Sequence, residues 1–156
     1  MKVLVMSDTH GDVNRVFLAF SLVEPVDAVI HLGDGSSDAE LLCEAFDVPV
    51  ISIAGNCDPA SRAPRERLWE CEGKRILLTH GDAYYVKSGL GRLRQRAEEI
   101  GADAVLFGHT HQSVSEKYED LLLVNPGTLS HAAHHRTVAV LNITSGGITS
   151  RHYDID

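Results

Sequence analysis

The amino-acid sequence predicts an α/β fold, and three observations carry that expectation. Short β-type apolar runs alternate with helix-period segments through the first third of the chain. Six of the apolar runs close on a polar motif. One of these, Gly108-His109-Thr110-His111, directly follows the buried-strand pattern Ala104-Val105-Leu106-Phe107. It therefore stands where a strand gives way to a loop, the edge at which open α/β sheets bind ligands.

Each element can be justified in order. Lys2 to Ser7 reads as the first strand and runs into Asp8-Thr9-His10-Gly11-Asp12. A helix starts near Asp12, whose carboxylate can cap it, and Val13, Val16, Phe17, Phe20 and Val23 keep helical spacing until Glu24-Pro25. Val26 to Leu32 is the second strand, closing on Gly33-Asp34, and His31 within it reads as a packed core residue. A helix through Asp38 to Phe46 follows, with Leu41, Leu42, Ala45 and Phe46 assigned to its inner face. Val48 to Ala54 is the third strand, closing on Gly55-Asn56-Cys57-Asp58. After a loop over Pro59 to Pro64, Arg67 to Cys71 and Arg75 to Thr79 form strands around a Glu72-Gly73-Lys74 turn, and the second ends at His80-Gly81-Asp82. A helix over Ser88 to Ile100 turns Leu90, Leu93, Ala97 and Ile100 inward and its charges to solvent. Two hairpins complete the chain: Val114 to Tyr118 with Leu121 to Val124, then Thr137 to Ile143 with Ile148 to Tyr153 around Ser145-Gly146-Gly147.

Residues 1–156 are read as one domain, a length that buries a sizeable core. Apolar content of 44% and charged content of 23% are ordinary for a soluble globular protein. No apolar run approaches the roughly 20 residues of a membrane span. An acid as early as Asp8 does not suit a signal peptide, so a cytoplasmic location is expected. The three cysteines, Cys43, Cys57 and Cys71, include no CxxC pair, which disfavours both a disulfide framework and a cysteine zinc site. A net charge of -8 without a basic cluster disfavours a nucleic-acid polymer as partner. It does not exclude a small phosphorylated substrate, because bound divalent ions would create a positive pocket locally.

Taken together, the strand-end motifs bring Asp8, His10, Asp34, Asn56, His80, His109 and His111 to one sheet edge. Such a crowd of carboxylates and imidazoles would repel itself without a cation. Seven ligands exceed one four-coordinate site and suit two metals sharing a bridging carboxylate. Mixed oxygen and imidazole donors point to manganese, iron or zinc rather than magnesium; manganese is expected first, with nickel a further alternative.

The ordered set Asp-x-His, Gly-Asp, Gly-Asn-x-Asp, a lone His and Gly-His-x-His resembles the calcineurin-like metallophosphoesterases. The Gly-Asn-Cys-Asp version, the short chain and the Asn125-Pro126-Gly127 that follows are similar to the small prokaryotic phosphodiesterase branch. The resemblance implies a four-layer αββα sandwich of two mixed β-sheets. It implies that Asp8, His10 and His111 hold a first metal, that Asn56, His80 and His109 hold a second, and that Asp34 bridges them. Asp34, Asn56 and His109 are the residues on which catalysis is then expected to depend. Two ions about 3.5–4 Å apart lower the pKa of a shared water, so that metal-bound hydroxide attacks the phosphorus near neutral pH and no protein nucleophile is required. The implied activity is phosphodiester hydrolysis. The alternatives are a phosphomonoesterase for a small metabolite and a protein-binding scaffold like the retromer subunit of this fold.

Cys57 departs from the wider family, in which histidine commonly stands at this place. Its presence either favours diesters with good leaving groups over monoesters or simply fills a tight turn. Asp58 either orients a ligand from behind or shapes that turn, and Asp82 occupies a place where branch members often carry a second histidine. His131, His134 and His135 read as solvated loop residues, with a place at the pocket mouth as the alternative, and His152 carries no signal. An exposed apolar hairpin near Val114 or Val138 would support a homodimer.

Overall fold

The structure, a computed structural model, describes all 156 residues. The chain runs β1 (Lys2–Met6), α1 (Val13–Val23), β2 (Ala28–His31), α2 (Ser36–Phe46), β3 (Val50–Ser52), β4 (Glu66–Cys71), β5 (Lys74–Thr79), α3 (Gly91–Glu99), β6 (Ala104–Leu106), β7 (Ser113–Tyr118), β8 (Leu121–Pro126), β9 (Thr137–Thr144) and β10 (Gly147–Asp154). Two single turns of 3₁₀ helix, Asp82–Tyr84 and Val86–Ser88, precede α3. They occupy the stretch in which the sequence places the start of α3, so that helix begins at Gly91 instead of Ser88.

Two five-stranded mixed sheets result, ordered β10-β9-β1-β2-β3 and β4-β5-β6-β8-β7. In the first, β1, β2 and β3 are mutually parallel; in the second, β5, β6 and β8 are. Each sheet is completed by antiparallel strands, so each hairpin expected from the sequence is present.

Side-chain alternation along the strands explains the layering. Val3 and Val5 of β1, Ile76 and Leu78 of β5 and Ala139 and Leu141 of β9 fill the core between the two sheets. Leu4 and Met6, one residue out of phase, meet Val16, Ala19 and Phe20 of α1 and Ala39 and Leu42 of α2. On the far side, Leu77, Val105 and Leu123 pack on Leu93 and Ala97 of α3. Three cores between four layers give the αββα sandwich, and the strands read as continuous apolar runs because both their faces are buried.

Asp12 caps α1, accepting a hydrogen bond from Arg15 N–H at 3.2 Å. The expected inner face of α2 needs correction. Ala39 and Leu42 are its buried apolar residues, together with Ser36 and Asp38, whereas Leu41, Ala45 and Phe46 are exposed. Phe46 instead lies over Phe20 at the helix rim, with ring centroids 4.7 Å apart. Val138 is fully buried in the helix-facing core and Val114 is half-buried against α3's core, so neither offers the exposed apolar hairpin expected. No helix is long and apolar enough to cross a membrane.

Candidate metal centre

Parallel pairing puts the C-terminal ends of β1, β2 and β3 on one edge, and the ends of β5, β6 and β8 on the facing edge. Backbone hydrogen bonds then stitch the strand ends together: Asp8 N–H to Gly33 O (2.9 Å), His10 N–H to Asp34 O (3.1 Å) and Gly108 N–H to His80 O (2.9 Å). The two sheets join where His109 N–H donates to Asp8 Oδ2 at 3.0 Å. Gly108 permits that approach, because a Cβ there would fall 2.1 Å from Ser7 Oγ and 2.8 Å from Asp8 Oδ2. Asp8, His10, Asp34, His109 and His111 all adopt left-handed backbone, with φ between 47° and 69°. Strained φ values of this kind collect at functional sites, where the surroundings over-determine the conformation.

Two clusters face each other on this edge. Asp8, His10 and His111 bring their donor atoms within 4.8 Å of one another, and so do Asp34, His80 and His109. Asp8 Oδ1 lies 3.1 Å from His111 Nε2 and 3.9 Å from the Nε2 atoms of both His10 and His80. Asp34 Oδ2 lies 3.3 Å from His80 Nε2 and 4.0 Å from His10 Nε2, so it reaches members of both clusters. The first cluster has two exposed histidines, whereas the second is largely buried.

The donors are pre-oriented. His80 Nδ1 lies 2.8 Å from Leu32 O, a carbonyl that can only accept, so Nδ1 carries the proton and Nε2 is turned toward the carboxylates. Asp8 Oδ2 is consumed by Ser7 Oγ–H (2.5 Å) and His109 N–H, while Oδ1 is buried without any hydrogen-bond partner. A buried carboxylate oxygen left bare beside imidazole nitrogens fits a cation. So does the donor set of each cluster, which suits a divalent metal taking oxygen and nitrogen ligands.

The titration of these groups records the crowding. Burial raises the Asp8 carboxyl, but the His111 imidazole beside it, the His80 charge and the Ser7 hydroxyl outweigh it and hold the group below its ordinary range. Asp34 behaves likewise, with burial overcome by His80 and the Cys57 backbone. Burial disfavours charge on His80, yet Asp34 and Asp8 push it upward; Asp8 does the same for His111. His109 is pushed down by burial, by His80 and by Lys87.

Asp58 holds the turn and, with it, the backbone of Asp34. Its carboxylate accepts from Asp34 N–H (2.7 Å), Gly35 N–H (2.9 Å) and Gly55 N–H (2.9 Å), clamping the ends of β2 and β3. Cys57 is exposed, and its N–H donates to Asp34 Oδ1 at 2.8 Å, which leaves Asp34 Oδ2 for the clusters. Burial and the charges of Asp34, Asp58 and Asp8 push its thiol up. Asn56 stands exposed beside it, Nδ2 3.6 Å from Cys57 Sγ. His131, His134 and His135 are exposed in a loop held by Arg136, which donates to Ser130 O and His131 O. Asp82 is half-buried, and its charge raises His109.

Sequence reasoning missed three supports. Asp38 accepts from Thr9 Oγ–H (2.6 Å) and Gly11 N–H (2.8 Å), fixing the loop after β1. Asn125 donates to Gly108 O and Thr110 Oγ (both 3.0 Å), fixing the loop after β6. His152, which carried no signal, lies 2.7 Å from Asn125 O and ties β10 to β8. The available signal was the strand-end position of Asn125 and the first-turn position of Asp38.

Residues 1–146 match the family model for the calcineurin-like phosphoesterase superfamily domain. The chain is 36% identical over 157 aligned residues to the probable metallophosphoesterase YsnB of Bacillus subtilis, covering 99% of this chain and 91% of that protein. The solved structure of an archaeal phosphodiesterase superposes with a TM-score of 0.81 at 25% identity, over 99% of this chain and 100% of that one. Zinc-complexed Vps29 of Entamoeba histolytica shares the fold, with a TM-score of 0.76 at 17% identity over the whole of both chains. The order of the motifs, the paired Asp/His clusters and these likenesses agree: the chain belongs to the calcineurin-like metallophosphoesterases, in their small prokaryotic phosphodiesterase branch.

Proposed function

We propose that this protein hydrolyses phosphodiesters at a site holding two divalent cations, manganese first among the candidates. Asp8, His10 and His111 would hold one ion, Asn56, His80 and His109 the other, and Asp34 would serve both. The observation that carries this reading is the position of Asp34 Oδ2, within 4.0 Å of an imidazole nitrogen of each cluster. When bound, such ions supply Lewis acidity, lowering the pKa of water and neutralising phosphate oxygens.

The chain's own residues do the rest. The Cys57 N–H and the Asp58 clamp orient Asp34. The Leu32 carbonyl holds the His80 tautomer with Nε2 facing the clusters. Asp8 is oriented by Ser7, whose buried hydroxyl is thereby occupied and unsuited to act as a nucleophile. Water is the nucleophile in this reading.

Chelator-stripped protein given Mn²⁺ should turn over a bis-aryl phosphodiester faster than the corresponding aryl monoester. Asp34→Asn should lower diester turnover by at least about 100-fold, since it weakens the shared ligand. Faster monoester turnover would instead establish a phosphomonoesterase. Two bound ions without turnover of either ester would overturn the reading in favour of a binding scaffold.

A further inference from the structure

A cavity of ≈ 580 Å³ opens between the first turn of α2 and the loop after β3. Ser36, Ser37 and Glu40 form one wall, and Cys57, Ser61 and Arg62 contribute to the other. Cys57 is the junction: its N–H bonds Asp34 while its side chain lines the cavity. Resting on the phosphodiesterase reading above, we propose that this cavity receives the leaving alcohol of the diester, and that this alcohol is a small polyol of glycerol or sugar type.

The walls decide the class. Three serine hydroxyls, an acceptor in Glu40 and a donor in Arg62 line the space, and neither Glu40 nor Arg62 is engaged in an ion pair. The apolar lining is confined to small side chains, with no aromatic ring and no long aliphatic chain. A nucleobase takes much of its binding energy from stacking on aromatic rings, and an acyl chain from apolar burial; neither finds a partner here. A polyol finds hydroxyl, carboxylate and guanidinium partners throughout. The volume falls within the usual range of about 300–1,000 Å³ for ligand pockets.

The wall is also built in advance. Ala54 N–H to Pro64 O (2.9 Å) and Arg65 Nη1 to Gly55 O (3.1 Å) close the base of the loop. Asp58 N–H to Gly55 O and Ser61 N–H to Asp58 O, both 3.1 Å, fold it from within. A compact loop pinned at its ends needs little backbone ordering at binding. In the reaction, water oxygen bonds to phosphorus, the phosphorus–oxygen bond to the polyol breaks, and the polyol oxygen keeps a proton from water. The products are a phosphomonoester and the free polyol.

Manganese-loaded protein is given bis(glycero)phosphate, dithymidine phosphate and a bis-aryl phosphodiester. Variants Ser37→Leu and Ala60→Trp obstruct the cavity from opposite walls. Wild type should favour bis(glycero)phosphate over dithymidine phosphate in kcat/KM. Both variants should lower kcat/KM for bis(glycero)phosphate at least about tenfold, while an unchanged far-UV circular dichroism spectrum and melting temperature report that they fold. Glycerol 3-phosphate binding, measured by calorimetry, should weaken in parallel. Bis(glycero)phosphate turnover within about twofold of wild type in both folded variants, or preference for dithymidine phosphate, overturns this inference alone. Absence of turnover of every diester by wild type overturns the functional reading and this inference with it.

Discussion

His31 sits fully buried beneath the metal edge, and its two nitrogens face different partners. Nδ1 accepts from Gly33 N–H at 3.1 Å, so the proton of the neutral ring resides on Nε2 and points to Thr9 Oγ, 3.0 Å away. Thr9 in turn donates to Asp38. Protonating Nδ1 would leave Gly33 N–H without an acceptor, and burial pushes this histidine down from 6.5 to about 4. Between those pH values the unfolded chain binds a proton that the folded chain refuses. Folding stability should therefore fall as pH drops through that window, by about 3 kcal/mol from this group. Urea denaturation across the window should show a flatter acid limb in His31→Gln than in wild type; equal slopes would contradict the assignment. The six aspartates and histidines of the two clusters could be recognised because these residue types at strand ends betray themselves. The services of Asp38 and Asn125 could not, because they go largely to backbone groups of distant segments, and a backbone group carries no residue identity.

Among the elements, the strands and their hairpins were legible from apolar runs and turn residues, while the 3₁₀ turns after β5 were not. Those turns are held by a tertiary contact. Glu66 of β4 accepts from Tyr84 Oη–H and from Arg96 of α3, whose Nη2 lies 2.9 Å away. Burial and the Glu66 carboxylate push the Tyr84 hydroxyl up to about 12, so it remains a donor. Glu66→Gln should lower stability by about 1 kcal/mol, a modest cost because the pair is partly solvated. Chemical denaturation should show the midpoint falling with unchanged slope; an unaltered midpoint would make the contact energetically idle. The inner face of α2 was misassigned for a related reason. Its apolar residues divide between the core and a rim where Phe46 meets Phe20, a partner from α1 that helical period alone does not reveal.

Across the whole molecule, two parallel triplets of strands point their C-terminal ends at a shared edge, and the metal-binding residues come from both sheets. Binding ions there should tie the sheets together. Saturating Mn²⁺ should raise the melting temperature of chelator-stripped protein, with a gain of about 2.7 kcal/mol at 100 times Kd. Asp8→Asn should lose most of that gain, and a shift undiminished in the variant would place the ions elsewhere. The α/β class was readable from alternating periods, whereas the pairing of two sheets was supplied by resemblance, since local sequence does not say which face meets which. The pinned loop after β3 has a consequence for how this scaffold could acquire new substrates. Its base is closed at Ala54 and Pro64, and Asp58 keeps its three backbone partners whatever lies beyond it. Grafting extra residues between Pro59 and Ala63 would cost little, since doubling a loop adds about 0.6 kcal/mol of closure entropy. Specificity could then be rewritten in one surface segment while the hydrolytic machinery is inherited intact.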